Sequence, residues 1–109
     1  MSTSTFGSFV VTLNLPPALE ERIVDWLLER EDGLGFTSYT ANGHGGSHEH
    51  LSVAEQVSGR QRRLEFRVEV PAESVDSFIA GLSAAFGGAD VYYFVSPVIR
   101  SGHLREIAS

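Results

Sequence analysis

The chain repeats one local construction, an alternating apolar run, a proline and an amphipathic run, once in each half. In Phe9-Val10-Val11-Thr12-Leu13-Asn14-Leu15 the residues Phe9, Val11, Leu13 and Leu15 share one face of a strand. Pro16-Pro17 stops that strand and suits the first positions of a helix. From Ala18 to Glu31, Leu19, Ile23, Trp26, Leu27 and Arg30 recur at three- and four-residue spacing, opposite a face carrying Glu20, Glu21, Asp25 and Glu29, and Asp32-Gly33 ends the helix. The second half repeats the pattern. Leu64, Phe66, Val68 and Val70 face one way and Glu65, Arg67 and Glu69 the other. Pro71 breaks the strand, and Ala72 to Phe86 carries Val75, Phe78, Ile79, Leu82 and Phe86 along one stripe before Gly87-Gly88. Setting Leu15-Pro16 against Val70-Pro71 aligns Val11, Leu13, Ile23, Val24 and Leu27 with Phe66, Val68, Phe78, Ile79 and Leu82.

Each half gains a second strand: Phe36 to Ala41 after the first helix, Val91 to Ile99 after the second. Two βαβ halves in one sheet predict an α+β fold. It is the ferredoxin-like βαββαβ sandwich, with a four-stranded antiparallel sheet and two helices on one face. At 109 residues the chain is read as one domain, 1–109, without room for a second core. Such a layout leaves the other sheet face open, and Val10, Thr12, Tyr39 and part of Val91-Tyr92-Tyr93-Phe94-Val95 are expected on it. That last strand is apolar on both faces, the pattern of a strand buried twice. An exposed apolar sheet face marks an interface, so self-association is expected.

Several function classes are disfavoured. Without cysteine there are no disulfides, thiolate metal sites or thiol nucleophile. A net charge of −6 argues against broad binding to nucleic acid or anionic lipid. Met1 to Phe6 lacks a signal-peptide pattern, and no apolar run approaches the roughly 20 residues of a membrane span. A cytoplasmic protein, not embedded in a membrane, is the expectation. No nucleophile has an evident base, and Ser47-His48-Glu49 are adjacent only in sequence, whereas a triad needs adjacency in space. The chain does not read as an enzyme.

The chemistry concentrates in 42–63, a connection longer than compact domains ordinarily carry without a functional reason. Its first part, Gly43-His44-Gly45-Gly46-Ser47-His48-Glu49-His50, sets three of the chain's four histidines beside a carboxylate. His44, His48, Glu49 and His50 offer donors suited to zinc, copper or nickel, and the glycines let them converge. Leu51 to Val57 can form one or two amphipathic turns. Arg60, Arg62 and Arg63 then make a compact cationic patch capable of bidentate contacts to phosphate or carboxylate. Arg100, His103 and Arg105, beyond the last strand, are placed to join such an anion site across a subunit boundary.

This layout resembles the PII family of signalling proteins. Val70-Pro71-Ala72-Glu73 is similar to the family's entry into its second helix, and Tyr93-Phe94-Val95-Ser96-Pro97-Val98-Ile99-Arg100 to its last strand. The segments Gly43-His44-Gly45 and Glu55-Gln56-Val57-Ser58-Gly59-Arg60, with Arg62-Arg63, resemble a PII-like group often found beside heavy-metal efflux pumps of the resistance-nodulation-division type. The resemblance implies a homotrimer with clefts between subunits and a long loop that contacts a transporter. It also implies an effector, such as an adenine nucleotide, bound at the loop base near Gly43, with Arg100 as a phosphate contact. The chain departs from nucleotide-binding PII proteins before the last strand, where only Gly87-Gly88-Ala89-Asp90 stands and no lysine is present. Two other readings compete: a transition-metal sensor or buffer using the histidine-rich loop, and an ACT-like regulatory or dimerisation module.

Overall fold

The computed structural model describes residues 6–45 and 60–107. Among these, four strands form one antiparallel sheet in the order β2-β3-β1-β4: β1 (Ser8–Leu15), β2 (Phe36–Gly43), β3 (Gln61–Pro71) and β4 (Tyr92–Val98). Two helices, α1 (Glu20–Leu28) and α2 (Val75–Phe86), follow β1 and β3. This is the ferredoxin-like arrangement that the repeat predicts.

The proline in each half starts the same local structure. Pro16 (φ −72°, ψ 152°) and Pro71 (φ −55°, ψ 144°) are extended, and each is followed by a single 3-10 turn, Pro17–Leu19 or Ala72–Ser74, that feeds the helix. Both helices therefore begin later than the periodicity alone suggests, because the first turn after each proline is wound more tightly. At the far end of α2, Gly87 is required by space and Gly88 by conformation. A β-carbon on Gly87 would lie 2.6 Å from the Ser83 carbonyl oxygen, and Gly88 adopts φ +88°.

The core is built from equivalent positions of the two halves. Val11, Leu13, Ile23 and Leu27 are buried with their counterparts Phe66, Val68, Phe78 and Leu82. Register confirms the shared face: Val11 pairs with Val68, Leu13 with Phe66 and Leu15 with Leu64. Each such large apolar side chain contributes about 1.5–3 kcal/mol when fully withdrawn from water. Trp26 extends this layer by meeting Phe78 and Phe86 edge-on, at centroid distances of 5.4 and 6.2 Å.

The strand expected to be buried on both faces is partly exposed within the subunit. In β4, Tyr92, Tyr93, Phe94 and Val95 are 65%, 49%, 44% and 37% exposed. Strand order explains the difference, since β4 pairs only with β1 within the subunit. Pro97 faces Phe9 and has no N–H to give, so this pair is of the non-hydrogen-bonded kind. Tyr93, Val95 and Pro97 consequently turn their main-chain groups to the free edge, which proline blunts at one end. The open sheet face carries Val10, Thr12 and Tyr39 as expected, beside the outward-turned Glu65, Arg67 and Glu69. Thr12, only 6% exposed, stands between Arg67 on β3 and Phe94 on β4, so a charged strip from β3 adjoins the aromatic strip.

Candidate functional site

One end of the sheet gathers the start of β3, the end of β1 and the turn into β4. Arg63, on the open face, reaches across β1, and its side chain is only 7% exposed. Its Nε donates to Asn14 Oδ1 at 2.6 Å, its Nη2 to the Asn14 carbonyl at 3.1 Å, and its Nη1 to Asp90 Oδ2 at 2.8 Å. Gly43 on β2 leaves room for this side chain, since a β-carbon there would stand 3.2 Å from Arg63 Cγ.

The network continues along the face. Asn14 Nδ2 donates to Glu65 Oε2 at 2.8 Å, and the Tyr39 hydroxyl donates to Glu65 Oε1. The Tyr39 bond, then the Asn14 bond, hold the Glu65 carboxyl below its ordinary range, and the same Glu65 contact pushes the Tyr39 phenol upward. A continuous polar chain therefore runs Tyr39, Glu65, Asn14, Arg63, Asp90, from β2 to the threshold of β4.

A second, smaller group lies at the opposite end. Ser8 and Ser101 hydroxyls both donate to Glu69 Oε2, at 2.7 and 2.8 Å, and lower its pKa in that order of weight. Ser101 fixes the start of the segment that follows β4, which carries the exposed Arg100 and His103. β4 begins opposite Asn14 and ends opposite Ser8, six positions away. At ~3.3 Å per residue, the two ends stand about 20 Å apart.

The sequence-derived candidates thus divide. Gly43, Arg60, Arg62 and Arg63 lie at one end of the sheet, where Asn42 pairs with Arg62 and Gly43 with Gln61, so both flanks of the 42–63 connection are strand. Arg100 and His103 lie at the other end. Of the proposed metal donors, exposed His44 directly follows β2, whereas His48, Glu49 and His50 lie outside the described residues. Among the described residues no group of three potential donors comes together. Asn14, Glu65 and Asp90 are not singled out by sequence reasoning. Their one signal is Asn14, a polar residue near the end of a mostly apolar strand.

A cavity of about 240 Å³ opens beside this end on the helical side, lined in part by Leu13, Ile79, Phe86, Gly88, Val91 and Tyr93. No described helix is long and apolar enough to cross a membrane.

The sheet order, the two helices on one face and the repeated proline entries define an α+β sandwich of the PII-like, ferredoxin-like class. Within that class, the chain belongs to the DUF3240 family, described as a protein of unknown function, whose model matches residues 6–105. A DUF3240 family protein from Shewanella baltica OS155 has a similar structure, with a TM-score of 0.70 and 23% identity over 95% of this chain and 99% of that one. CPII from Thiomonas intermedia K12, solved bound to ADP, AMP and acetate, gives 0.62 and 22% over 85% of this chain and 87% of its own. A Bacillus cereus protein related to NIF3 gives 0.60 and 18%, covering 94% of this chain but only 28% of that one. No curated protein matches the sequence.

Proposed function

We propose that this chain is a PII-like regulatory protein, not a catalyst. It assembles as a homotrimer, binds a small anionic effector between subunits and transmits its state to a transporter. The observation that carries this reading is the division of basic residues between the two ends of the sheet. Arg60, Arg62 and Arg63 on one side and Arg100 with His103 on the other are about 20 Å apart along the strands, so one effector meets both groups only where two copies adjoin. The exposed aromatic edge of β4 supplies a surface for that contact. The similarity to CPII, solved with ADP, AMP and acetate, favours a nucleotide or small carboxylate as the effector. The partner, a heavy-metal efflux pump of the resistance-nodulation-division type, rests on the resemblance of the 42–63 segment alone.

Calorimetric titration of ADP, AMP and ATP into wild type, Arg62→Ala and Arg100→Ala proteins tests the shared site. Each variant loses binding alone. Mixed and co-refolded, the two regain a fraction of wild-type sites, because some interfaces then carry both intact halves. Absence of nucleotide binding in wild type removes the nucleotide version of the reading. Recovery absent from the mixture would place the site within one subunit.

A further inference from the structure

The arginine best placed to meet an anion at the sheet end is already held inside the subunit, and it is held in two unlike halves. Nε and Nη2 of Arg63 donate to the side chain and main chain of Asn14 on β1, an inner strand of the sheet. Nη1 donates to Asp90 Oδ2 at 2.8 Å, and Nη2 reaches the Asp90 carbonyl and Oδ1 only at 3.5 Å. Asp90 lies outside any strand, and its side chain is 58% exposed, against 7% for Arg63. The β1 half is therefore built into the sheet. The Asp90 half lies at the rim, and its carboxylate gives up little when it returns to water. Asp90 ends the short Gly87-Gly88-Ala89-Asp90 connection, whose own main-chain bonds run locally, from Ala89 to Phe86 and from Val91 to Ala89.

We propose that Arg63 is a latent oxyanion site with Asp90 as its internal competitor. An effector phosphate or carboxylate takes the place of the Asp90 carboxylate on Nη1 and so releases the Gly87–Asp90 connection from β3. This rests on the effector-binding reading above and names the group that regulates access to it. The exchange is physically economical. The buried guanidinium stays paired before and after, which avoids the cost of an uncompensated buried cation. A phosphate group brings more charge to the same donor than an exposed carboxylate does. It also couples ligand arrival to movement of the turn into β4, the strand with the exposed edge.

The test titrates inorganic pyrophosphate, ADP and acetate into the full chain as wild type, Asp90→Asn and Asp90→Ala. Hydrogen exchange over residues 87–91 is followed in parallel. The variants are expected to bind at least one of these oxyanions about tenfold tighter than wild type, the weight of one charge-assisted hydrogen bond no longer displaced. Which probe responds tells phosphate from carboxylate. Exchange over 87–91 is expected to rise when wild type binds ligand and to be raised already in Asp90→Ala. Asp90→Asn keeps the side-chain size, so it carries the test should the alanine variant fail to fold. Binding by wild type with equal or weaker binding by a folded variant overturns the competitor and leaves the regulatory reading standing. Binding of no probe by any of the proteins overturns the proposal together with the nucleotide and acetate versions of the regulatory reading.

Discussion

Gly81 on α2 stands against the indole of Trp26 on α1, where a β-carbon would lie 3.1 Å from Trp26 Cζ2 and 3.7 Å from an Arg30 guanidinium nitrogen. Trp26 has little freedom to yield. Phe78 and Phe86 meet it edge-on, and the Arg30 guanidinium lies 4.9 Å from its ring centroid. The two helices approach this closely because one contributes no side chain at the crossing. Gly81→Val is therefore expected to destabilise the protein by about 1–3 kcal/mol through overpacking. Urea denaturation measures it, and Trp26→Leu in the same chain should recover part of the loss, giving a non-additive double mutant.

Asn14 joins two charged side chains, accepting from Arg63 and donating to Glu65. Asn14→Ala removes both contacts and leaves a nearly buried guanidinium with fewer acceptors. A loss of about 1–3 kcal/mol is expected. A double-mutant cycle with Arg63→Met should return a coupling of at least about 0.5 kcal/mol. Additive effects would mean that the two residues do not share the network.

Stability should fall at both ends of the pH range, the acid limb through the two glutamates and the alkaline limb through Tyr39, with the Tyr39–Glu65 bond shared by both. Hydrogen bonds made to their ionised forms hold Glu65 and Glu69 below the ordinary glutamate value of 4.5. Their contribution is present above that value and is lost as pH falls through the lower folded-state pKa. Tyr39 is raised from 10.0, chiefly by its bond to Glu65, so its contribution is present below 10.0 and is lost as pH rises through the higher folded-state value. Melting temperatures taken across pH for wild type, Glu69→Gln and Tyr39→Phe check this. The first variant should flatten the acid limb, the second the alkaline limb and, through Glu65, part of the acid limb. An acid limb unchanged in the first, or an alkaline limb unchanged in the second, refutes the assignment.

The exposed edge of β4 predicts concentration-dependent assembly. Val95→Lys places a charge on a strand whose main-chain groups face outward at that position, the device by which natural edges resist pairing. Light scattering should show the wild type well above the 11.9 kDa of one chain and the variant close to it. An assembly unaffected by Val95→Lys, or a monomeric wild type, would remove β4 from the interface.

Much of the fold is legible along the chain because its signals are local. Alternation sorts Val11, Leu13, Phe66 and Val68 onto one face, proline marks where each strand must stop, and three-four spacing places Ile23, Leu27, Phe78 and Leu82 inward. Glu65, Arg67 and Glu69 are correctly read as turned away from the core by the same alternation. What alternation omits is which strand lies beside which. The doubly apolar Tyr92–Val95 run reads as a strand buried on both faces, yet within the subunit it is exposed, because apolar composition reports eventual burial without saying which chain provides it.

The candidate site divides along the same line. The cluster Arg60, Arg62 and Arg63 is visible in sequence as charge, and Gly43 as a flank. Nothing local says that Arg63 is spent on Asn14 and Asp90, 49 and 27 residues away, or that Arg100 and His103 emerge at the opposite end of the sheet. By itself the sequence determined the two strand-proline-helix halves, their inward faces and the class of sandwich, since each follows from the period of a few neighbouring residues. Only the tertiary structure decided the exposure of β4 within the subunit, the polar chain from Tyr39 to Asp90 and the separation of the basic residues. Those depend on strand register, which is set by the packing of the whole sheet and brings together residues far apart in the chain.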